Sequence, residues 1–414
     1  MKLSMRSHLV LILALLLGIG SGCAQLPFLS GAAELISTSF LSFLQLLSLP
    51  IIFFSVTATV SGLTDFSEMR SLGMRVIKYT VLTTVIAASV ALGLYVLIEP
   101  ATTIFSTQTG APLEQNSSSY LSHVAQIIPS NVFTAFATNN VIGVAFMAFV
   151  LGIGTLFLPT ENKKTLHHFF SSVFAVILKI TSGAVKLMPL GIWAFTALFV
   201  QDLMKNSALA EGLGWYLAVV LGANLIQGLV VLPLILKWKG ISPWKTAKGM
   251  FGALVIAFFS KSSNATLPTA IQCAETRLGV SRRVSQFSFP LCSVINMNGC
   301  AGFILSTVLF VAMSNGLTFT PWEMGGWVLL ATLAAIGNAG VPMGCYFLTS
   351  AFLVGMGVPL YIMGLILPIY TLLDMVETSV NVWSDSCVAV LVDKEVAAEG
   401  LKPENRMVTA GEQK

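Results

Sequence analysis

Apolar residues run in long blocks along this chain, near 8–28, 38–62, 77–98, 132–158, 169–200, 213–236, 285–314 and 359–393. A helix needs roughly 20 mostly apolar residues to cross the hydrocarbon of a bilayer, and these blocks are long enough. The pattern predicts eight spans, the last ones too long or too interrupted to be plain rods. Blocks such as 132–158 and 213–236 carry few polar residues, as membrane helices ordinarily do. The C-terminal half departs from that habit.

Residues 247–275 run apolar into Ser260-Lys261-Ser262-Ser263-Asn264 and turn apolar again after Pro268. Neither half spans alone, and charge flanks both ends, so the expectation is a re-entrant hairpin whose polar tip lies inside the membrane. A second such segment, 328–358, carries Ala335-Ile336-Gly337-Asn338-Ala339-Gly340-Val341-Pro342 at its tip and has no basic residue in its flanking loops. Two hairpins entering from opposite faces imply inverted repeats. Between them the seventh span is interrupted by Asn296-Met297-Asn298-Gly299. Unpaired polar groups at that depth are costly, so the break is expected to line a site or cavity. The eighth span carries Asp374, Glu377, Thr378, Asn381 and Asp385 at steps of 3, 4, 7 and 11, which fall on one helical face. Apolar residues on both sides, Ile362 to Leu373 and Val388 to Val392, argue against a helix end lying in water. Three carboxylates on one stripe of a membrane helix point to a functional site.

Composition agrees with this reading: 55% of the 414 residues are hydrophobic, 10% are charged and the mean hydropathy is +0.85, which excludes a water-soluble domain. The net charge of +4 is no nucleic-acid footprint, because the basic residues sit in short loops. Lys2 and Arg6 precede the first span; Arg70, Arg75 and Lys78 follow the second, Lys163 and Lys164 the fourth, and Lys237, Lys239, Lys245 and Lys248 the sixth. Arg277, Arg282 and Arg283 precede the seventh, and Lys394, Lys402, Arg406 and Lys414 close the chain. The positive-inside rule makes that side cytoplasmic, with both termini inside, as in a multi-pass protein of a bacterial inner membrane. Residues 1–23 resemble a secretory leader only superficially; a first span explains the same letters. Cys23, Cys273, Cys292, Cys300, Cys345 and Cys387 show no metal-ligand spacing and read as small packing residues. His8, His123, His167 and His168 lie at span ends or loops, away from the polar core, so nothing suggests an enzyme. An ion channel is the more serious competitor, since pores also use broken helices and buried carboxylates.

The motifs resemble those of the dicarboxylate/amino acid:cation symporters, the glutamate transporter family. Lys261-Ser262-Ser263-Asn264-Ala265-Thr266-Leu267-Pro268 is similar to its serine-rich first hairpin, and Asn296-Met297-Asn298-Gly299-Cys300 to its NMDGT break. Ala339-Gly340-Val341-Pro342 is similar to its second hairpin tip, and the stretch from Asp374 to Asp385 to its DMxRTxxNVxGD motif. Pro129-Ser130-Asn131 and Met188-Pro189-Leu190-Gly191 match further landmarks. The resemblance implies an all-α elevator-type carrier with eight transmembrane helices, two re-entrant hairpins and a homotrimeric assembly. It implies a scaffold at 1–76 and 101–205, a transport domain at 77–100 and 206–393, and a cytoplasmic tail at 394–414. The implied substrate residues are Ser262, Ser263, Asn264, Cys300, Gly340, Val341, Asp374, Glu377, Thr378 and Asn381. Asp374 would take the α-amino group, Asn381 and the Ser263 region the α-carboxylate, and Gly340 and Val341 would close the outer gate. Asn296, Asn298, Asn381 and Asp385 form the candidate sodium site, with Thr83 and Thr84 as further ligands. No cofactor is implied, only Na+ or H+ as coupling ion, and the partners are a small amino acid and membrane lipid, with no nucleic acid.

Departures from the family pattern carry the specificity. Glu377 stands where acidic-substrate members place the arginine that pairs with the substrate's side chain. Like charges about 4 Å apart repel by several kcal/mol at an effective dielectric near 20, so an acidic substrate is disfavoured and a cationic one, such as lysine, arginine or ornithine, is favoured. The alternative is a neutral amino-acid or dicarboxylate symporter in which Lys261 or a proton neutralises Glu377. Cys300 replaces the motif's threonine, which suits a longer, less polar substrate stem. Asn298 replaces an aspartate of a sodium site, while Val294, Ala335 and Asn338 replace hydroxyl-bearing residues, so fewer coupled sodium ions are expected.

Overall fold

The computed structural model describes residues 2–62, 66–101, 128–138, 140–205, 208–338 and 343–398. These residues form an all-α membrane protein with no strand among them. Four helices are long and apolar enough to cross a membrane outright: Leu72–Ile98, Glu211–Trp238, Arg282–Ser314 and Tyr361–Ala398. Shorter apolar helices at Ile12–Ala24, Leu49–Ala58, Gly143–Leu156 and Lys186–Gln201 fall within the other predicted spans.

One set of helices is N-terminal: Lys2–Ala24, Pro27–Ser61, Val141–Leu156 and the long Thr160–Lys205 pack on one another. The contact of the first with the last is made by small residues. A Cβ on Gly18 would lie 2.7 Å from the Thr196 Cβ, and one on Gly22 would lie 2.6 Å from the Val200 Cβ and 2.7 Å from the Ala197 carbonyl oxygen. This Gly-x-x-x-Gly face lets the two backbones approach, as in other membrane helix pairs. Trp193 Nε1 donates to Ser21 Oγ at 3.0 Å across the same seam. Gly22→Val is expected to lower the melting temperature of the detergent-solubilised protein by several degrees, through an overpacking cost of about 1–3 kcal/mol, whereas Gly20→Ala, which meets nothing within 4 Å, should leave it unchanged.

The predicted fourth span, 132–158, is corrected: it is two helices, Val132–Ala137 and Val141–Leu156. Asn131 Oδ1 accepts from Phe133 N at 2.8 Å and Asn140 Oδ1 from Gly143 N at 2.9 Å. Asparagine at such a position competes for the backbone donors of a new first turn and so starts a helix where hydropathy alone shows a continuous run.

The second set assembles around Asn298–Ser314, which is almost wholly buried. Against it lie Phe66–Ile98, the helix Ala208–Ile226 with its π turn Gln227–Val231, the second hairpin and the last helix, Tyr361–Ala398, while the first hairpin packs on that last helix and on Arg282–Ile295. The first hairpin is Pro243–Ser260 followed by Ser263–Cys273. Lys261 turns the chain in the left-handed region, and Ser262 caps the returning arm by accepting from Ala265 N at 3.2 Å. The second hairpin is Pro321–Gly337 followed by Gly344–Gly355; its tip residues Ala339, Gly340, Val341 and Pro342 lie outside the described residues. Its first arm begins earlier than the predicted 328, at a capping box in which Thr320 and Glu323 satisfy each other's backbone donors. The seventh span breaks as predicted: Arg282–Ile295 ends, Asn296 and Met297 leave helical geometry, and Asn298–Ser314 begins. Near the end of the last helix Glu395 takes a hydrogen bond from Tyr79 and ion pairs from Arg75 at 3.5 Å and Lys239 at 3.3 Å, tying three helices of this set together. Where the two sets face each other there is an apolar cavity of about 400 Å3, with Ile52, Val56 and Phe149 on one wall and Val81, Leu330 and Leu348 on the other.

Candidate functional site

The polar stripe of the last helix points inward. Asp374, Glu377, Thr378, Asn381 and Asp385 are all buried, Glu377 to 1% exposure. Asn381 bridges to the broken span: its Oδ1 accepts from Gly299 N at 2.8 Å and its Nδ2 donates to Cys300 Sγ at 3.3 Å. The N-terminal end of Asn298–Ser314 is thereby fixed to the last helix, and its free backbone donor is satisfied within the protein. Thr378 Oγ1 donates a long bond, 3.5 Å, to Asp374 Oδ1. The charge of Lys261, at the first hairpin's turn, acts on Asp374, and the Met343 backbone meets the same carboxyl. Both hairpins therefore converge on Asp374.

Glu377 is different. Among the described residues neither of its carboxylate oxygens makes a hydrogen bond of good geometry, and the polar group that faces it is the hydroxyl of Tyr370. Its charged neighbour is Asp374, a like charge. Lys261 is placed to act on Asp374 and is not among the groups acting on Glu377.

Of the first-hairpin residues, Ser263 is buried, Ser262 is engaged as a helix cap, and Asn264 Oδ1 accepts from Ser293 Oγ at 3.3 Å. Gly340 and Val341 lie outside the described residues. Cys300 and Cys345 are corrected from packing residues to a pair: their sulfurs touch, across 45 positions of sequence. The second hairpin's Asn338 donates to both, at 3.1 and 3.3 Å.

A second polar network lies in the break itself. Asn298 Nδ2 donates to Thr83 Oγ1 at 3.3 Å, Thr84 Oγ1 at 3.2 Å and Asn296 Oδ1 at 2.9 Å. Asn298 Oδ1 accepts from Gln227 Nε2 at 2.6 Å, and Asn296 Nδ2 donates to Asp385 Oδ1 at 2.9 Å and Ser384 Oγ at 3.0 Å. Asn296, Asn298 and Asp385 of the candidate sodium set thus share one network, together with Thr83 and Thr84, while Asn381 serves Gly299 and Cys300 instead. Hydroxyl and amide oxygens suit a hard cation. Here three of them converge on the Asn298 amide N–H2 group, which satisfies them by hydrogen bonds. Asn298→Ala is expected to strip these partners at once and destabilise the protein by about 1–3 kcal/mol, read as a lower midpoint in thermal unfolding.

Comparison with known proteins agrees with this geometry. The family model described as "Sodium:dicarboxylate symporter family" matches residues 8–395. The chain belongs to the sodium:dicarboxylate symporter family. Among relatives of this symporter, the neutral amino acid transporter B(0) of Bos taurus is 28% identical over 91% of the chain and 77% of its own length. The neutral amino acid transporter A of Homo sapiens is 26% identical over 90% and 77%, and an excitatory amino acid transporter of Caenorhabditis elegans is 27% identical over 91% and 83%. The protein is an amino-acid/dicarboxylate:sodium symporter of the glutamate transporter family, a membrane carrier of small molecules in a family of transporters rather than enzymes.

Three residues of the symporter's buried site escape a reading of the sequence. Gln227 stands in a span that reads as ordinary, yet its π turn aims it at Asn298. Cys345 has no neighbouring motif, and Tyr370 looks like a core aromatic. The lone glutamine in an apolar block was the one available signal for the first; the other two become visible only when the helices are assembled.

Proposed function

We propose that this symporter carries cationic amino acids such as lysine, arginine or ornithine. The observation that carries the reading is Glu377, a buried carboxylate one helical turn from Asp374 that faces only the Tyr370 hydroxyl and no basic side chain among the described residues. A substrate whose α-amino group lies on Asp374 would bring its distal cation to Glu377, where it would compensate a buried carboxylate. Lys261 is directed at Asp374, which supports Glu377 being left for the substrate. Ser262, Ser263, Asn264, Asn381, Gly340 and Val341 would complete the enclosure around the α-carboxylate. A second reading, a neutral amino acid with Glu377 neutralised by a proton, draws support from the neutral amino acid transporters among the relatives.

For the mechanism, the N-terminal helix set would be the fixed scaffold of a homotrimer. The second set would move as one body across the membrane with the substrate enclosed; because Phe66–Ile98 and Tyr361–Ala398 are continuous helices, its bounds would fall before Phe66 and after Ala398 rather than at 76/77 and 393. The small-residue seam and the Glu395 junction, each internal to one set, and the apolar cavity between the sets support that division. The basic loops support an orientation with both termini in the cytoplasm of a bacterial cell. The Asn298 network supports coupling to fewer sodium ions than its relatives use, with a proton as the other candidate.

Uptake into proteoliposomes decides between the substrates: radiolabelled lysine, arginine, serine, leucine and glutamate, with and without sodium. Saturable lysine or arginine uptake stimulated by counter-substrate is expected. Preferential entry of serine or leucine would overturn the cationic reading, and flux without counter-flow stimulation would point to a channel.

A further inference from the structure

Three helical elements bring soft and hard ligands to one point. Cys300 comes from the start of Asn298–Ser314, Cys345 from the start of Gly344–Gly355 and Glu377 from the last helix. The two sulfurs and one Glu377 oxygen lie within 4.8 Å of one another, and all three residues are buried. The Cα atoms of the cysteines are 5.6 Å apart.

We propose that Cys300, Cys345 and Glu377 bind a thiophilic divalent cation, with Zn2+ the biological choice, at the side-chain end of the substrate pocket. Cysteine thiolates and a glutamate carboxylate are each zinc ligands, with Zn–S near 2.3 Å and Zn–O near 2.0–2.2 Å, and three protein ligands suffice when a fourth position stays open. Thiolates select against Na+, Mg2+ and Ca2+, so this site is distinct from the sodium chemistry of the family. The surroundings favour thiolate: Asn338 Nδ2 donates to both sulfurs and Asn381 Nδ2 to Cys300. Such outer donors hold metal ligands in their binding form and orientation.

A Cα separation of 5.6 Å also suits a disulfide. A disulfide, however, presents neutral sulfurs to Glu377 and leaves the buried carboxylate facing only the Tyr370 hydroxyl among the described residues. A divalent cation satisfies the carboxylate and both sulfurs together, with a fourth position open to water, as in zinc sites that exchange a ligand. Binding releases the thiol protons. On the substrate reading proposed above, the cation and the distal charge of a cationic amino acid compete for Glu377, so Zn2+ would inhibit lysine uptake competitively.

The test is titration of the purified full-length protein with Cd2+ and with Zn2+, in a phosphine reductant and a Cys23→Ala background that removes the exposed thiol. Binding of one ion per chain with a cadmium–thiolate ultraviolet band is expected. Cys300→Thr, Cys345→Ala and the double variant should each weaken binding at least tenfold and diminish the band. Glu377→Gln should weaken binding at least tenfold while keeping the band. Unchanged binding in folded Cys300→Thr and Cys345→Ala proteins, with melting curves as the check of folding, would overturn the site. So would a Cys300–Cys345 disulfide that mass spectrometry finds intact after reduction. Because binding is read without transport, failure here leaves the substrate reading standing, and lysine uptake that is absent in metal-free buffer overturns the substrate reading alone.

Discussion

Glu377→Gln is expected to reduce lysine and arginine uptake by roughly thirtyfold or more while raising the thermal stability of the substrate-free protein. The two effects share one cause. Glu377 is 1% exposed and makes no hydrogen bond of good geometry among the described residues, so in an empty carrier a charge there would be a liability that the amide removes. On the proposed cationic reading, a bound substrate would pair with the same carboxylate, and losing one partner of a buried charge pair costs about 2–5 kcal/mol, equivalent to some thirtyfold to several-thousandfold in affinity. Uptake kinetics and a melting curve on one preparation check both. If uptake of a neutral amino acid continues unchanged in the variant, Glu377 has no part in selecting substrate and the neutral reading takes over.

Gly299→Ala should abolish transport by a different route. A Cβ there would lie 2.8 Å from Glu377 Cα, 2.9 Å from Glu377 O and 2.7 Å from Asn224 Oδ1. Two of those atoms are backbone, which cannot swing aside, so either the break or the last helix must move. The overpacking cost is about 1–3 kcal/mol, and the displacement falls on the helix that carries Asp374, Glu377 and Asn381. The control is Gly302→Ala, one turn on, where the nearest atom is Ala91 Cβ at 3.6 Å. That variant should transport normally, so the pair separates the local collision from a general intolerance of alanine in this helix.

Much of the architecture is legible in the sequence because polar residues are expensive in lipid and their placement is therefore informative. Asn296 to Gly299 announce a break, Ser260 to Asn264 a hairpin tip, and the spacing from Asp374 to Asp385 a single inward face. What stays hidden depends on contacts between distant segments or on local geometry without a hydropathy signature. Asn140 starts a helix inside an apolar run, Gln227 is aimed by a π turn, and Cys345 meets Cys300 only when the second hairpin folds against the broken span. The capping box at Thr320 and Glu323 was a readable start for the second hairpin that hydropathy alone passes over. At the site, Glu377 was legible as an inverted charge, but that Lys261 acts on Asp374 instead required the assembled hairpin.

The Asn298 amide bears on how steep a gradient this carrier can maintain. The break is held together by the Asn298 N–H groups, so on the proposed reading the unloaded protein would need no ion there to close, and its return would not be conditional on one. Accumulation then rests on the remaining ions and on the electrical term. For a monovalent cationic substrate carried without a compensating charge, roughly 2.3 kcal/mol per 100 mV sets a ceiling of about fiftyfold, which rises and falls with the voltage rather than with external salt.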